Sequence, residues 1–279
     1  MSETGIRFTR VMDSGLAREF VGQFRSLKHP DRFTSGIAAA DYDDDGDVDL
    51  YVVGGRNGPN HLYQNQGDGT FAEVGASVGL DVSHWGSGPV FGDVDGDGDL
   101  DLFIGAGDGD PVYLFENRLN AADAPAGVFV DRTAGSGITI TTDNTVSAAF
   151  HDYDRDGYLD LFLAHWGAVR ERGADTETVW RSNGDFTFTS TSVETGIADA
   201  IVAGGRDWSF TPNLSDIDGD GDGDLLMVSD LNNSEVLINN GDGTFTRSTD
   251  PEVIVDQAGM GAAVGDYDND GDMDWFVTS

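Results

Sequence analysis

The chain has no cysteine among its 279 residues, so a disulfide framework and a thiolate metal site are both excluded. Cations are scarce as well: 15 Lys and Arg stand against 51 Asp and Glu, for a formal charge of −36. A surface so poor in positive charge offers no basic patch for nucleic acid or an anionic membrane face. No stretch approaches the roughly eighteen consecutive apolar residues of a membrane span, and Met1 to Arg10 has no apolar run of the kind a secretory leader carries. Neither a membrane-spanning helix nor a signal peptide is expected in these residues. Nucleophile motifs are missing too. There is no G-x-S-x-G, and none of His29, His61, His84, His151 and His165 stands at metal-ligand spacing from another. The sequence assigns no catalytic residue.

What the chain has in excess is aspartate in a fixed order. Asp41 to Asp49 reads D-x-D-x-D-G-x-x-D, and the same order returns at Asp93 to Asp101, Asp152 to Asp160, Asp216 to Asp224 and Asp266 to Asp274. Each copy carries Gly at its sixth position and runs into an apolar segment such as Leu50-Tyr51-Val52-Val53. Calcium is a hard cation that takes roughly six to eight oxygens at about 2.3–2.6 Å. Carboxylates at alternate positions of a tightly curled loop can all turn inward, and the glycine allows the sharp bend.

The opening resembles an EF-hand loop, but the closing acid comes at position nine rather than twelve, and a strand follows instead of a helix. The expected ligands are Asp41, Asp43, Asp45, Asp47 and Asp49; Asp93, Asp95, Asp97, Asp99 and Asp101; Asp152, Asp154, Asp156, Tyr158 and Asp160; Asp216, Asp218, Asp220, Asp222 and Asp224; and Asp266, Asp268, Asp270, Asp272 and Asp274. Position seven is Asp in four copies and Tyr158 in the third, which points to its backbone carbonyl rather than its side chain. Position four varies freely (Asp44, Gly96, Arg155, Gly219, Asn269) and reads as facing solvent. About five structural Ca²⁺ ions are expected. Without them the loops repel themselves, so folding and calcium binding are linked. Weak calcium modules with dissociation constants of about 10⁻⁴ to 10⁻³ M suit an extracellular setting, which places the chain outside the cell or in a periplasm.

The loops start 52, 59, 64 and 50 residues apart, the length of a four-stranded antiparallel sheet with its turns. In the first unit a small-residue strand at Gly36 to Ala40 enters the loop and Leu50 to Val53 leaves it. His61 to Asn65 forms a third strand, and Gln66-Gly67-Asp68-Gly69 turns tightly into a fourth at Thr70-Phe71. The turn recurs at Asn240 to Phe245 and, more weakly, at Ser182 to Phe186, so Asp68, Asp185 and Asp242 are turn residues. The expected units are 35–86, 87–144, 145–207, 208–258 and a partial 259–279. Residues 1–34 hold a strand at Gly5 to Val11 and an irregular segment; that strand, patterned like the last strand of a unit, is placed to complete the last blade.

Repeats of this length with this loop resemble the FG-GAP and VCBS repeat family, which includes the integrin alpha-chain propeller and the bacterial repeats found beside ASPIC and UnbV domains. The resemblance runs from Gly36 to Ser279. It implies an all-β fold: a β-propeller of four-stranded antiparallel blades, each with its calcium in the first hairpin. About five blades are visible, either part of a seven-bladed ring or a set that self-assembles through its incomplete blade. The acidic loops then serve structure, and function moves to the segments entering the first strands. Ser83-His84-Trp85, Thr142-Asp143-Asn144 and Arg206-Asp207-Trp208 pair aromatic faces with hydrogen-bonding groups, as sugar or peptide sites do. His84, Trp85, Arg206, Asp207 and Trp208 are the candidate ligand-binding residues. An equally available reading has Trp85 and Trp208 fill space between blades, as for His165-Trp166. The expectation is an extracellular recognition, adhesion or assembly module for glycan or protein. The alternative, since some relatives are polysaccharide lyases or dehydratases, is an enzyme acting through His84 and Arg206.

Overall fold

The computed structural model describes residues 35–55, 58–119, 128–171, 173–203, 205–254 and 258–278. The expected strand at Gly5 to Val11 lies outside the described residues. The chain is all-β and antiparallel, and it divides into two compact units, residues 1–93 with 97–133 and residues 94–96 with 134–279.

The first unit holds two meanders. One has β1 (Ile37–Ala40), β2 (Asp49–Val52), β3 (His61–Asn65) and β4 (Phe71–Glu73) paired in sequence order. The other has β5 (Gly86–Gly92), β6 (Asp101–Ala106), β7 (Tyr113–Asn117) and β8 (Phe129–Asp131), again in order. The second strand of each is its apolar centre: Tyr51, Leu102, Phe103 and Ile104 are wholly buried. A continuous apolar run is what a strand covered on both faces requires. Tyr51, Leu102 and Ile104 share one core with Tyr42, Val53, Leu62, Leu80, Phe115 and Phe129. Tyr51 also satisfies its hydroxyl there, accepting from Asn60 Nδ2 at 2.8 Å and donating to the Leu80 carbonyl at 3.3 Å.

In the second unit, β9 (Thr145–His151), β10 (Asp160–Val169), β11 (Val179–Ser182) and β12 (Phe188–Ser190) form a third meander. After the short β13 (Val202–Ala203), β14 (Arg206–Ser215), β15 (Asp224–Ser229), β16 (Glu235–Asn239) and β17 (Phe245–Arg247) form a fourth. Finally β18 (Gly261–Gly265) pairs with β19 (Asp274–Thr278). One expectation needs correction. The third and fourth meanders are not separate sheets, because β10 also pairs with β14, setting Trp166 opposite Trp208 and Val169 opposite Arg206. β10 therefore runs on as strand through Trp166 to Val169. Phe186 closes the expected turn. It sits in the turn with φ 63°, and β12 starts at Phe188.

Next to this junction the core turns polar. His165, wholly buried, meets Thr145 Oγ1 at 3.2 Å through Nδ1 and the Glu177 carbonyl at 3.0 Å through Nε2, which makes Nε2 the donor and leaves the ring neutral. Arg170 Nη2 bonds Glu177 Oε2 at 3.0 Å, and Thr141 donates to the same carboxylate from its amide. Burial pulls against ionisation of Glu177, but those bonds outweigh it and hold the carboxyl below its usual range.

Candidate metal centres in the acidic loops

All five acidic repeats lie in the turn between a first and a second strand, closed by the pairing of the residues on either side: Ala40 with Asp49, Gly92 with Asp101, His151 with Asp160, Ser215 with Asp224 and Gly265 with Asp274. Within each loop the carboxylate at position one accepts from the glycine N–H at position six, at 2.9 Å for Gly46 on Asp41, 3.0 Å for Gly157 on Asp152 and 2.9 Å for Gly221 on Asp216. Position five accepts from the amide at position seven, as Asp45 does from Asp47 at 2.9 Å. These bonds curl the backbone so tightly that the glycine takes φ of 92° to 99°. Position four is left-handed in every copy as well, at 58° for Asp44, 59° for Arg155 and 62° for Asn269, with glycine in the other two. Its freedom to vary is therefore narrower than its exposure suggests, since Gly, Asn and Asp suit that region best.

Three carboxylates converge in each loop, with ligand atoms within 4.8 Å of one another: Asp41, Asp43 and Asp45; Asp93, Asp95 and Asp101; Asp152, Asp154 and Asp160; Asp216, Asp218 and Asp224; Asp266, Asp268 and Asp274. Positions one and three are thus always together. Position five joins them in the first loop and position nine in the other four. In the first, third and fourth loops the position-seven side chain points elsewhere, against the turn between the third and fourth strands. A Cβ on Gly67 would stand 2.7 Å from Asp47 Oδ2, one on Gly241 would stand 2.8 Å from Asp222 Oδ2, and one on Gly184 would stand 2.5 Å from the Tyr158 ring.

Position nine does a second job that its residue type did not disclose. Asp49, Asp101, Asp160 and Asp224 are almost wholly buried, and each accepts from a third-strand amide: Asn65 at 2.7 Å, and Asn117, Ser182 and Asn239 at 2.8 Å. Their other oxygens accept from position two in three of these loops, as with Tyr153 at 3.1 Å. The closing acid thereby fastens the loop to the sheet. Burial, with smaller contributions from neighbouring aspartates, pushes Asp49 up to about 6 and Asp160 up to about 7. Asn117 and Asn239 reach further, donating from Nδ2 to the Tyr42 and Tyr153 carbonyls at 2.8 and 2.9 Å. Asn239 stands before the Gly241-Asp242-Gly243 turn but Asn117 precedes no such turn, so no shared residue pattern disclosed this tie.

The donor set fits a hard divalent cation, being oxygen throughout. The first loop adds an independent sign. Asp43 Oδ1 is buried without a hydrogen-bond partner, while its other oxygen accepts from Gln64 Nε2 at 2.5 Å. A carboxylate oxygen left in that state costs free energy, which a cation among Asp41, Asp43 and Asp45 would offset.

The candidate ligand-binding residues fall in two places. In the first unit His84 and Trp85 are buried beside β5. The His84 ring stands edge-on to Tyr113 at 4.9 Å, and the Trp85 amide donates to Asp110 Oδ2 at 2.7 Å. In the second unit Asp207 is wholly buried and donates nothing to the surface, accepting from the Ser209 amide at 2.8 Å. Arg206 and Trp208 are half-exposed. The guanidinium lies 5.8 Å from the indole centroid and donates to the Gly167 carbonyl at 2.8 Å. Trp166, read from the sequence as packing, joins them, with its ring 5.6 Å from Trp208 and its Nε1 donating to Asp230 Oδ2 at 3.2 Å.

Comparison with known proteins places these features in a family. Residues 41–104 and 216–277 match the FG-GAP-like repeat. Cartilage acidic protein 1 of Mus musculus is 32% identical over 175 residues, covering 62% of this chain and 25% of that protein, and the Homo sapiens protein is 30% identical over the same length. The chain spans about a quarter of the length of these relatives. A solved structure describing specific recognition of non-reducing terminal N-acetylglucosamine by an Agrocybe aegerita lectin superposes with a TM-score of 0.51 at 19% identity, over 88% of this chain and 60% of that one. That is a likeness of fold alone. The two matched stretches, which carry four of the five acidic loops, are FG-GAP-like repeats.

Proposed function

We propose that the chain is a calcium-stabilised recognition module of an extracellular setting, in which the meanders are the blades of a β-propeller and each acidic loop holds one Ca²⁺. The observation that carries this reading is the convergence of three carboxylates in every first hairpin, with the orphaned Asp43 Oδ1 among them. A relative named for cartilage and a structural neighbour that recognises a terminal sugar both support a role in binding glycan or protein. Adding calcium to chelator-stripped protein is expected to release heat until about five equivalents are bound, with the melting temperature rising throughout. A chain that binds little calcium and melts unchanged would overturn the reading.

The ligand meets the protein at the Trp166, Trp208 and Arg206 cluster, where two aromatic faces stand beside the Asp230 carboxylate and a guanidinium. Aromatic faces with a few fixed polar groups are what saccharide and peptide sites use. Trp208→Ala is expected to weaken binding to immobilised N-acetylglucosamine-terminated glycans at least tenfold, read by surface plasmon resonance, while calcium uptake stays at the wild-type level. Equal binding by the variant places the ligand elsewhere.

A further inference from the structure

The third and fourth acidic loops depart from the repeat at three neighbouring positions, Arg155, His151 and Gly223, and the departures fit their surroundings. Position four of the third loop is Arg155, held at φ 59° where the other copies carry Asp, Asn or Gly. Arginine is a poor occupant of that backbone conformation, so something offsets the strain. Its guanidinium is paired with the carboxylate of Asp222, position seven of the fourth loop, which is only 8% exposed. It also lies across position six, since a Cβ on Gly221 would stand 3.2 Å from Arg155 Nη2. Two further departures accompany Arg155. Position eight is Val48, Leu100, Leu159 and Met273 elsewhere but Gly223 here, and the residue before the loop is Ala40, Gly92, Ser215 and Gly265 elsewhere but His151 here. The His151 ring fills the vacated space: a Cβ on Gly223 would be 1.9 Å from its Nε2.

We propose that Arg155 is a positioning residue that couples cation binding in the third loop to cation binding in the fourth, so that the two fill as a pair. This rests on the calcium reading above. Without a cation, Asp152, Asp154, Asp156 and Asp160 repel one another and the third loop loosens. With one, the ring closes and fixes the Arg155 backbone, and with it the guanidinium on Asp222. Asp222 belongs to the fourth ring, where its amide donates to Asp220 Oδ1 at 2.9 Å, next to the Gly221 amide that donates to Asp216. Order in one loop therefore favours order in the other, and the coupling is reciprocal.

Each loop reports on itself through the amide of its sixth-position glycine, which donates to the carboxylate at position one. Calcium titrations of the full chain, followed by ¹H–¹⁵N correlation spectra, give separate midpoints for Gly46, Gly157 and Gly221. Asp152→Asn disables the third loop and is expected to raise the Gly221 midpoint at least about fivefold, within the usual range of coupling between sites. In the Arg155→Asn background, which keeps a residue suited to the left-handed backbone, the same change is expected to move it less than about twofold. Gly46 stays at its wild-type midpoint in all variants and shows that they are folded. Should Asp152→Asn lose that signal, Asp154→Asn takes its place. An unmoved Gly221 midpoint, or an equal shift in both backgrounds, overturns the coupling while leaving the calcium reading intact. If no glycine amide responds to calcium, both fall together.

Discussion

Asp160→Asn is expected to lower the melting temperature by about 6–12 °C in chelator, and by more in calcium, where a ligand is lost as well. The carboxylate at position nine is wholly buried and accepts two backbone N–H groups, Tyr153 at 3.1 Å and Ser182 at 2.8 Å. An amide offers one acceptor oxygen. Its NH₂ would face the second backbone donor, leaving two buried donors opposed and unpaired. Each such group costs about 1–3 kcal/mol, for a loss of about 3 kcal/mol, and each kcal/mol moves the midpoint by about 2–4 °C in a domain of roughly 150–250 residues. Asp274→Asn is the internal control. It occupies the same position in the fifth loop, but it is half-exposed and, among the described residues, accepts only from Tyr267, at 3.0 Å. Its cost in chelator is expected to stay below about 1 kcal/mol. Equal, small shifts for the two variants would show that position nine serves the loop alone and does not fasten it to the sheet.

That anchoring role also marks where the sequence stopped being informative. The five loops, their placement in a first hairpin and the glycine at position six follow from residue types at fixed spacing, and a repeat exposes such spacing directly. The course of the first meander was equally legible, because the short segment His61 to Asn65 stands between turn-forming residues and Gln66 to Gly69 can only turn. The bonds that bind loop to sheet run to main-chain amides, however, and an amide belongs to every residue type except proline. Nothing in the letters Asn65, Asn117, Ser182 and Asn239 says that their N–H groups meet the closing aspartates. The pairing of β10 with β14 was invisible for a different reason: it joins residues about forty positions apart, beyond the reach of any local period. Left-handed backbone at position four was hidden by Arg155, the one occupant that breaks the Asp, Asn and Gly pattern. The ion pair that holds Arg155 there is a tertiary contact.

Chelated protein is expected to melt at least about 5 °C higher at pH 5 than at pH 7.5, and calcium is expected to reverse that order. In the unfolded chain an aspartate titrates near about 3.9. In the folded, metal-free chain burial, with neighbouring aspartates adding to it, pushes Asp49 up to about 6 and Asp160 up to about 7, and burial alone pushes Asp207 up to about 7. Between about pH 4 and 7 the folded state therefore holds protons that the unfolded state has released, and its stability falls as the pH rises through that window and levels off above it. Histidines act the other way. Burial lowers His84, His151 and His165, so the unfolded state takes up protons first as the pH falls below about 6.5. The aspartates prevail, because three carboxyls titrating at about 6 to 7 span most of the interval, whereas the histidines contribute only in its lower part. General self-repulsion of a chain with charge −36 has the same sign as the aspartate effect but is screened by salt. The difference that survives molar salt thus belongs to the buried groups. Calcium must displace the protons on its ligands, so its stabilising effect is larger at pH 7.5 than at pH 5. Asp207→Asn separates the two sources, since Asp207 lies outside every loop: it is expected to reduce the pH dependence in chelator and leave the calcium-induced rise unchanged. A chelated chain that melts higher at pH 7.5 than at pH 5 would mean that the position-nine carboxylates are ionised without a cation, and that the loops close on their own hydrogen bonds.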